Sequence, residues 1–260
     1  MKKIANLAAL ALLGISSVAS AAEIWNHTFP VSGQLKWTGF DSGSTAVNVQ
    51  KSNGTSLSYS GSGGQFGGYF YSDGTQSNDE FFRFFCIDLS QSAATGPLDY
   101  RASVFDSAVL ARLFDIAYPN SAIGDFYDGA TKTGFGAFTS GILSSAFQLA
   151  VWELFYDSSS SYSLGGGNFK SSIGGDASGT PEQKAVAQAN TWLAQLKDGA
   201  GTAAGWTLYR FTSDTHQDYL AAIHTQPPLR INGNAAPEPG TLAMLGLGIA
   251  ALGAVRRRRR

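Results

Sequence analysis

The sequence predicts an α+β fold, a mainly antiparallel β-sandwich or barrel framework carrying an inserted helical subdomain of about three helices. Three observations point that way. Alternating or β-rich runs separated by glycine and serine turns crowd the first hundred residues. Three stretches of helical periodicity follow, and one more alternating run comes after them.

Strands are expected at EIWNHTFPV (23–31), QLKWTGF (34–40), TAVNVQKS (45–52), GGYFYSDG (67–74) and EFFRFFCIDL (80–89). In the last of these, side chains alternate, so Phe84, Cys86 and Asp88 share one face and Phe85 and Ile87 the other. The glycine-rich stretches 52–64 and 164–179 read as surface loops. A first helix is expected over 103–119, with Val104, Ala108, Leu110, Phe114 and Ala117 at helical spacing and Pro119 as its stop.

A second helix spans 141–157, GILSSAFQLAVWELFYD. It is apolar nearly all round and should be buried, yet Gln148 sits at its centre. A third covers 180–199, with Thr180 as N-cap, Pro181 at the first position and Gly199 at the end. Its stripe of Ala185, Ala189, Trp192, Leu193 and Leu196 covers a core from outside. WTLYRFTS (206–213) then alternates as a strand, while DYLAAIH (218–224) fits a short helix or a strand.

The chain ends carry targeting information. Lys2 and Lys3 precede an apolar run from Ile4 to Ile15 and an Ala19-Ser20-Ala21 site, the pattern of a signal peptide over residues 1–21. The run falls short of the ~20 residues a membrane-spanning helix needs. At the other end, Pro237, Glu238 and Pro239 precede an apolar segment, 240–255, and five arginines, Arg256 to Arg260. Snorkelling arginine stems extend the reach of such a segment, and their charge holds that end in the cytoplasm. A plain C-terminal anchor would look similar. In this order, however, the three parts resemble the PEP-CTERM sorting signal, over residues 237–260. The resemblance implies an exosortase as partner in a Gram-negative bacterium, transient anchoring of the C-terminal helix in the inner membrane, and delivery to the cell surface or extracellular matrix. Residues 22–236 are left as one extracellular domain.

The formal charge of −1 is misleading for that domain. The two ends take seven of the 18 basic residues and one of the 19 acidic ones, leaving a net charge near −7. An acidic, lysine-poor domain argues against nucleic acid as a partner. Three histidines and one cysteine, none at ligand spacing, argue against a zinc site, calcium in a glycine-rich loop stays open, and no nucleotide fingerprint is present, so no cofactor is expected. Aromatic residues make up 12% of the chain, too many for a disordered matrix filler.

Cys86 is the single cysteine, so it forms no disulfide within the chain. It is a buried inert thiol, an intermolecular bridge or a reactive group. Gln148, in turn, is a primary amide in a buried helix and needs partners. The order of motifs here resembles the thioester domain of bacterial surface adhesins. Phe85-Cys86-Ile87-Asp88 on a strand is followed by a helix ending near Tyr118-Pro119 and then by Phe147-Gln148-Leu149-Ala150-Val151-Trp152. The second motif of that family is of Thr-Gln-x-Ala-Ile-Trp type. The resemblance spans about residues 80–157 in motif order.

It implies a thioester cross-link between Cys86 and Gln148, formed with loss of ammonia and opened by amine-bearing surface proteins or polymers. Asp88 is then a candidate proton acceptor and Trp152 a candidate pocket wall. Phe147 stands where the family has threonine, a departure from its pattern. On this reading the protein reacts once and is not a turnover enzyme. Two alternatives stay open. One is a non-reactive structural or binding component of the exopolysaccharide or biofilm matrix, with Cys86 a small hydrophobe and Gln148 bonded to backbone. The other is a cysteine hydrolase with His216 or His224 as base.

Overall fold

The computed structural model describes residues 30–52, 54–72, 80–118, 138–157 and 162–224. All lie within the first of two compact units, Met1–Thr225; the second, Gln226–Arg260, falls outside the described residues, as do residues 1–29 with the expected signal segment.

Among the described residues, the elements run in the order β1 (Val31–Phe40), β2 (Thr45–Lys51), β3 (Leu57–Gly63), β4 (Phe66–Tyr71), β5 (Glu80–Cys86), β6 (Pro97–Phe105), α1 (Ala108–Ala117), α2 (Gly141–Tyr156), β7 (Phe169–Ser171), α3 (Pro181–Lys197), β8 (Trp206–Thr212) and β9 (Tyr219–His224). Six strands close into an antiparallel barrel in the order β1-β4-β5-β9-β8-β6, and β3-β2-β7 form a separate three-stranded sheet. The framework is therefore α+β with a β-barrel, and the helices enter the chain between β6 and β8, as expected.

A barrel of few strands has room inside only for side chains. Here aromatic rings fill it. Phe82 packs on Phe84 and Phe211 at centroid separations of 4.9 and 5.0 Å, and Phe84 meets Tyr219 at 4.7 Å. Gly68 on β4 makes this possible, because a Cβ there would lie 2.5 Å from Lys36 O and 2.9 Å from the Phe84 ring. Phe85, one residue along, points the other way and packs on Phe147 at 4.6 Å. The alternation along EFFRFFC thus splits one strand between two cores, the barrel interior and the helical layer.

Three expectations need correction, and one choice left open is decided. Residues 57–63, read as loop, are strand β3 and pair with β2 from Thr45↔Gly63 to Lys51↔Leu57. Their alternation is real, but serine and glycine fill it, so the strand carries little apolar signal. The first helix begins at Ala108, after the N-cap Ser107, and not at 103, because Pro97–Phe105 is strand β6 between β1 and β8. Residues 169–171 within the second expected loop pair with β2 as β7. Tyr219–His224 is a strand, fixed by pairing with β8 and β5. Of the expected strand 23–31, only Pro30 and Val31 are described, and Pro119 is outside the described residues.

The third helix forms as its caps dictate. Thr180 accepts from Gln183 N while the Gln183 side chain accepts from Thr180 N, a reciprocal capping box with Pro181 at the first position.

Candidate functional site

The site lies where β5 outruns its neighbour. β4 ends its ladder at Phe66, opposite Phe84, so nothing on that side pairs with Cys86 two residues later. On the other side the ladder continues, with Ile87 N donating to Asp218 O at 2.9 Å. Neighbouring residues of a strand point their main-chain groups in opposite directions, so the N–H and C=O of Cys86 face the vacated side. Gln148 of α2 takes both. Cys86 N donates to Gln148 Oε1 at 3.0 Å, and Gln148 Nε2 donates to Cys86 O at 2.7 Å. The amide stands in for the missing strand residue.

One turn-pair further along α2, Tyr156 repeats the device. Its hydroxyl donates to Ile87 O and accepts from Leu89 N, both at 2.8 Å. At the other end of the helix, Ser145 Oγ accepts from Thr45 N and donates to Gly63 O, while Ser144 Oγ accepts from Gln65 N and donates to Gly43 O. The polar side chains buried in α2 thus stitch the helix to open main-chain groups of both sheets, which resolves why an apolar helix carries them. Gln65 is a second fully buried amide: it donates to Tyr118 Oη and accepts from Ser42 Oγ and Phe138 N. These roles left no trace in periodicity. The serines read as mild interruptions of an apolar run, and only their position beside Gln148 hinted at a polar seam.

The Cys86 thiol is 1% exposed and Gln148 fully buried. Cys86 Sγ donates to Asp88 O at 3.1 Å. The carboxylate of Asp88 turns elsewhere and accepts from Ser90 N at 2.8 Å and from Ser90 Oγ at 2.6 Å. The main-chain oxygen of Asp88, and not its side chain, therefore meets the sulfur. Burial pushes the thiol far above its ordinary pKa, opposed by the Trp152 side chain and the Asp88 main chain. Where the thiol is free, burial keeps it in its protonated form.

Trp152, one turn beyond Gln148, is 2% exposed. Half-buried Tyr59 of β3 stands edge-on to it at 5.9 Å. Phe147, in the place of the resembled family's threonine, packs on Phe85 and Phe114 at 4.6 and 4.8 Å. That position faces an aromatic layer. Of the two histidines weighed as bases, His216 Nδ1 lies against Thr215 Oγ1 and the His224 ring packs on Trp206 at 4.7 Å. No group of three or more histidine, cysteine, aspartate or glutamate side chains is placed to hold a metal ion among the described residues.

Residues 235–260 match the PEP-CTERM protein-sorting motif. Such a tail implies an exported protein processed by an exosortase, anchored transiently in the membrane through its C-terminal segment. Pro237, Glu238 and Pro239 fall within the match and outside the described residues. Among the described residues, no helix is long and apolar enough to cross a membrane. No curated protein and no solved structure matches the chain.

Proposed function

We propose that this exported protein attaches covalently to amine-bearing surface proteins or polymers through an internal thioester between Cys86 and Gln148. The observation that carries the reading is the two-point pairing of the Gln148 amide with the main chain of Cys86, 62 residues away. It brings the acyl carbon to the residue that bears the only thiol. In forming the bond, Cys86 Sγ attacks Gln148 Cδ, the Cδ–Nε2 bond breaks, and the thiol proton leaves with the nitrogen as ammonia. Cys86 N–H already bonds Oε1, where negative charge develops as the sulfur adds. An amine then attacks Cδ. A C–N bond forms, the C–S bond breaks, and the proton of the amine passes to sulfur. Near-complete burial of both residues excludes the water that would otherwise hydrolyse the thioester.

Intact mass of the mature protein tests this. A species lighter by one ammonia, which gains one methylamine on incubation, is the expected result. A protein of full mass, with Cys86 alkylated only on unfolding or freely, overturns it.

A second reading has its own support. Both polar groups are satisfied without a covalent bond, the thiol by Asp88 O and the amide by Cys86, and Gln65 performs a similar stitching role with no cysteine beside it. On that reading the domain is a non-reactive component of the extracellular matrix, and Cys86→Ala is retained at the surface as well as the parent protein.

A further inference from the structure

Among the buried donors without a partner, one belongs to the helix that carries Gln148. Trp152 Nε1 has no hydrogen-bond partner, although the residue is 98% buried by its 2% exposure, and a buried N–H without a partner carries a real cost. Its position follows from the helix. Trp152 is one turn beyond Gln148, and its ring is wedged between Tyr59, edge-on at 5.9 Å, and Phe169 at 6.3 Å. Phe169 is fully buried, so the indole is held from the side away from solvent. Toward a charged Cys86 sulfur the side chain would be a donor, which holds back the burial-driven rise of the thiol's pKa. The proton of the neutral thiol is directed at Asp88 O, and the indole bonds nothing in that state.

We infer that the Trp152 indole N–H is held ready for a negatively charged sulfur, and that it stabilises Cys86 Sγ as the C–S bond of the thioester forms and breaks. The inference rests on the thioester reading and assigns that site a positioning donor. When an amine opens the thioester, the electron pair of the C–S bond goes to sulfur before the amine proton reaches it. In an apolar pocket that charge has no solvent to meet it. A preorganised donor there lowers the barrier without needing to bond the resting thiol. An aromatic residue without the N–H would fill the same space and leave the leaving sulfur bare.

Trp152→Phe in the full-length protein is the test, with Phe169→Leu as a control that loosens the same ring without touching its N–H. In Trp152→Phe, opening by methylamine is expected to slow about 10-fold to 100-fold, the effect of losing a hydrogen bond to a charged group. After opening, the pH profile of Cys86 alkylation is expected to shift upward in Trp152→Phe and to stay put in Phe169→Leu. Equal methylamine rates and superimposable pH profiles for Trp152→Phe and the parent protein overturn the inference, and so does an equal slowing in Phe169→Leu. Should the parent protein never show the ammonia-deficient mass, the thioester reading falls by itself. The alkylation profile then decides the donor role alone, and an unshifted profile overturns it.

Discussion

Gln148 holds two main-chain groups of Cys86 that no strand reaches, and this sets what its removal does. In Gln148→Ala, the N–H and C=O of Cys86 are both left buried without a partner. Each such loss costs about 1–3 kcal/mol, so a drop of roughly 2–6 kcal/mol in unfolding free energy is expected. Cys86→Ala keeps the amide pairing and removes one sulfur from a packed site, for about 1 kcal/mol. A cross-link between the two residues would be lost in both variants, so the gap between them reads the main-chain pairing alone. Urea midpoints at unchanged m-value measure it. Equal midpoints would show that the amide contributes nothing beyond its partner.

At the scale of elements, the C-terminal end of α2 is the place where charge and burial conflict. Glu153 is fully buried and Asp157 is 3% exposed. One turn apart, they hold the same loop, Glu153 Oε1 accepting from Ser163 N at 2.9 Å and Asp157 Oδ2 from Asn168 N at 2.8 Å. Gly167 has φ +93°, and any Cβ there would collide with Asp157 Oδ2, so the loop closes tightly over the acids. Glu153 Oε2 has no partner. Burial raises the Glu153 carboxyl from 4.5 to about 8, with the Ser163 N–H opposing the rise and Asp157 adding to it. Between those two values the folded state binds a proton that the unfolded state has released. Stability attached to this proton is full below pH 4.5 and is lost as pH rises through about 8. The change is on the order of a few kcal/mol. Glu153→Gln keeps the acceptor for Ser163 N and cannot ionise. It is expected to melt higher than the parent at pH 9 and to differ little at pH 5. Parallel melting curves for the two proteins across that range would refute the assignment.

The same elements mark what the sequence made legible. The helix over 180–199 was readable because caps and an amphipathic stripe are local signals, and EFFRFFC was readable because large side chains alternate. Strand β3 was not, since Ser58, Ser60 and Ser62 face outward and Gly61 and Gly63 carry no apolar bulk. The start of α1 is not legible, because Ser103 and Val104 fit both periods, and only pairing with Arg210 and Tyr209 decides for strand. Cys86 and Gln148 could be named as a pair from motif order. The way they meet, through main-chain groups left open where β4 stops, is a property of register that no local pattern encodes.

For the whole molecule, loss of residues 1–21 and of the tail would change both charge and address. The apolar segment 240–255 and Arg256 to Arg260 tie the exported chain to the membrane until the tail is removed. The full chain has an isoelectric point near 6.3, but the ends hold seven of its 18 basic residues and one of its 19 acidic ones. Loss of both therefore leaves a domain with a net charge near −7, which focuses at a more acidic pH than the precursor. In the native host, the released form is expected to lack the signal segment and the tail by intact mass, and to focus below 6.3. Glu238→Ala disrupts the Pro-Glu-Pro motif on which recognition of the tail rests, while leaving the apolar segment and arginines intact. That variant is expected to collect in the membrane fraction at the mass of the tailed chain, with its folded domain unaltered. The decisive comparison is the mass of the protein found outside the cell. If the extracellular form keeps residues 240–260, exosortase processing is not what releases it, and the basic tail must leave the membrane by some other route.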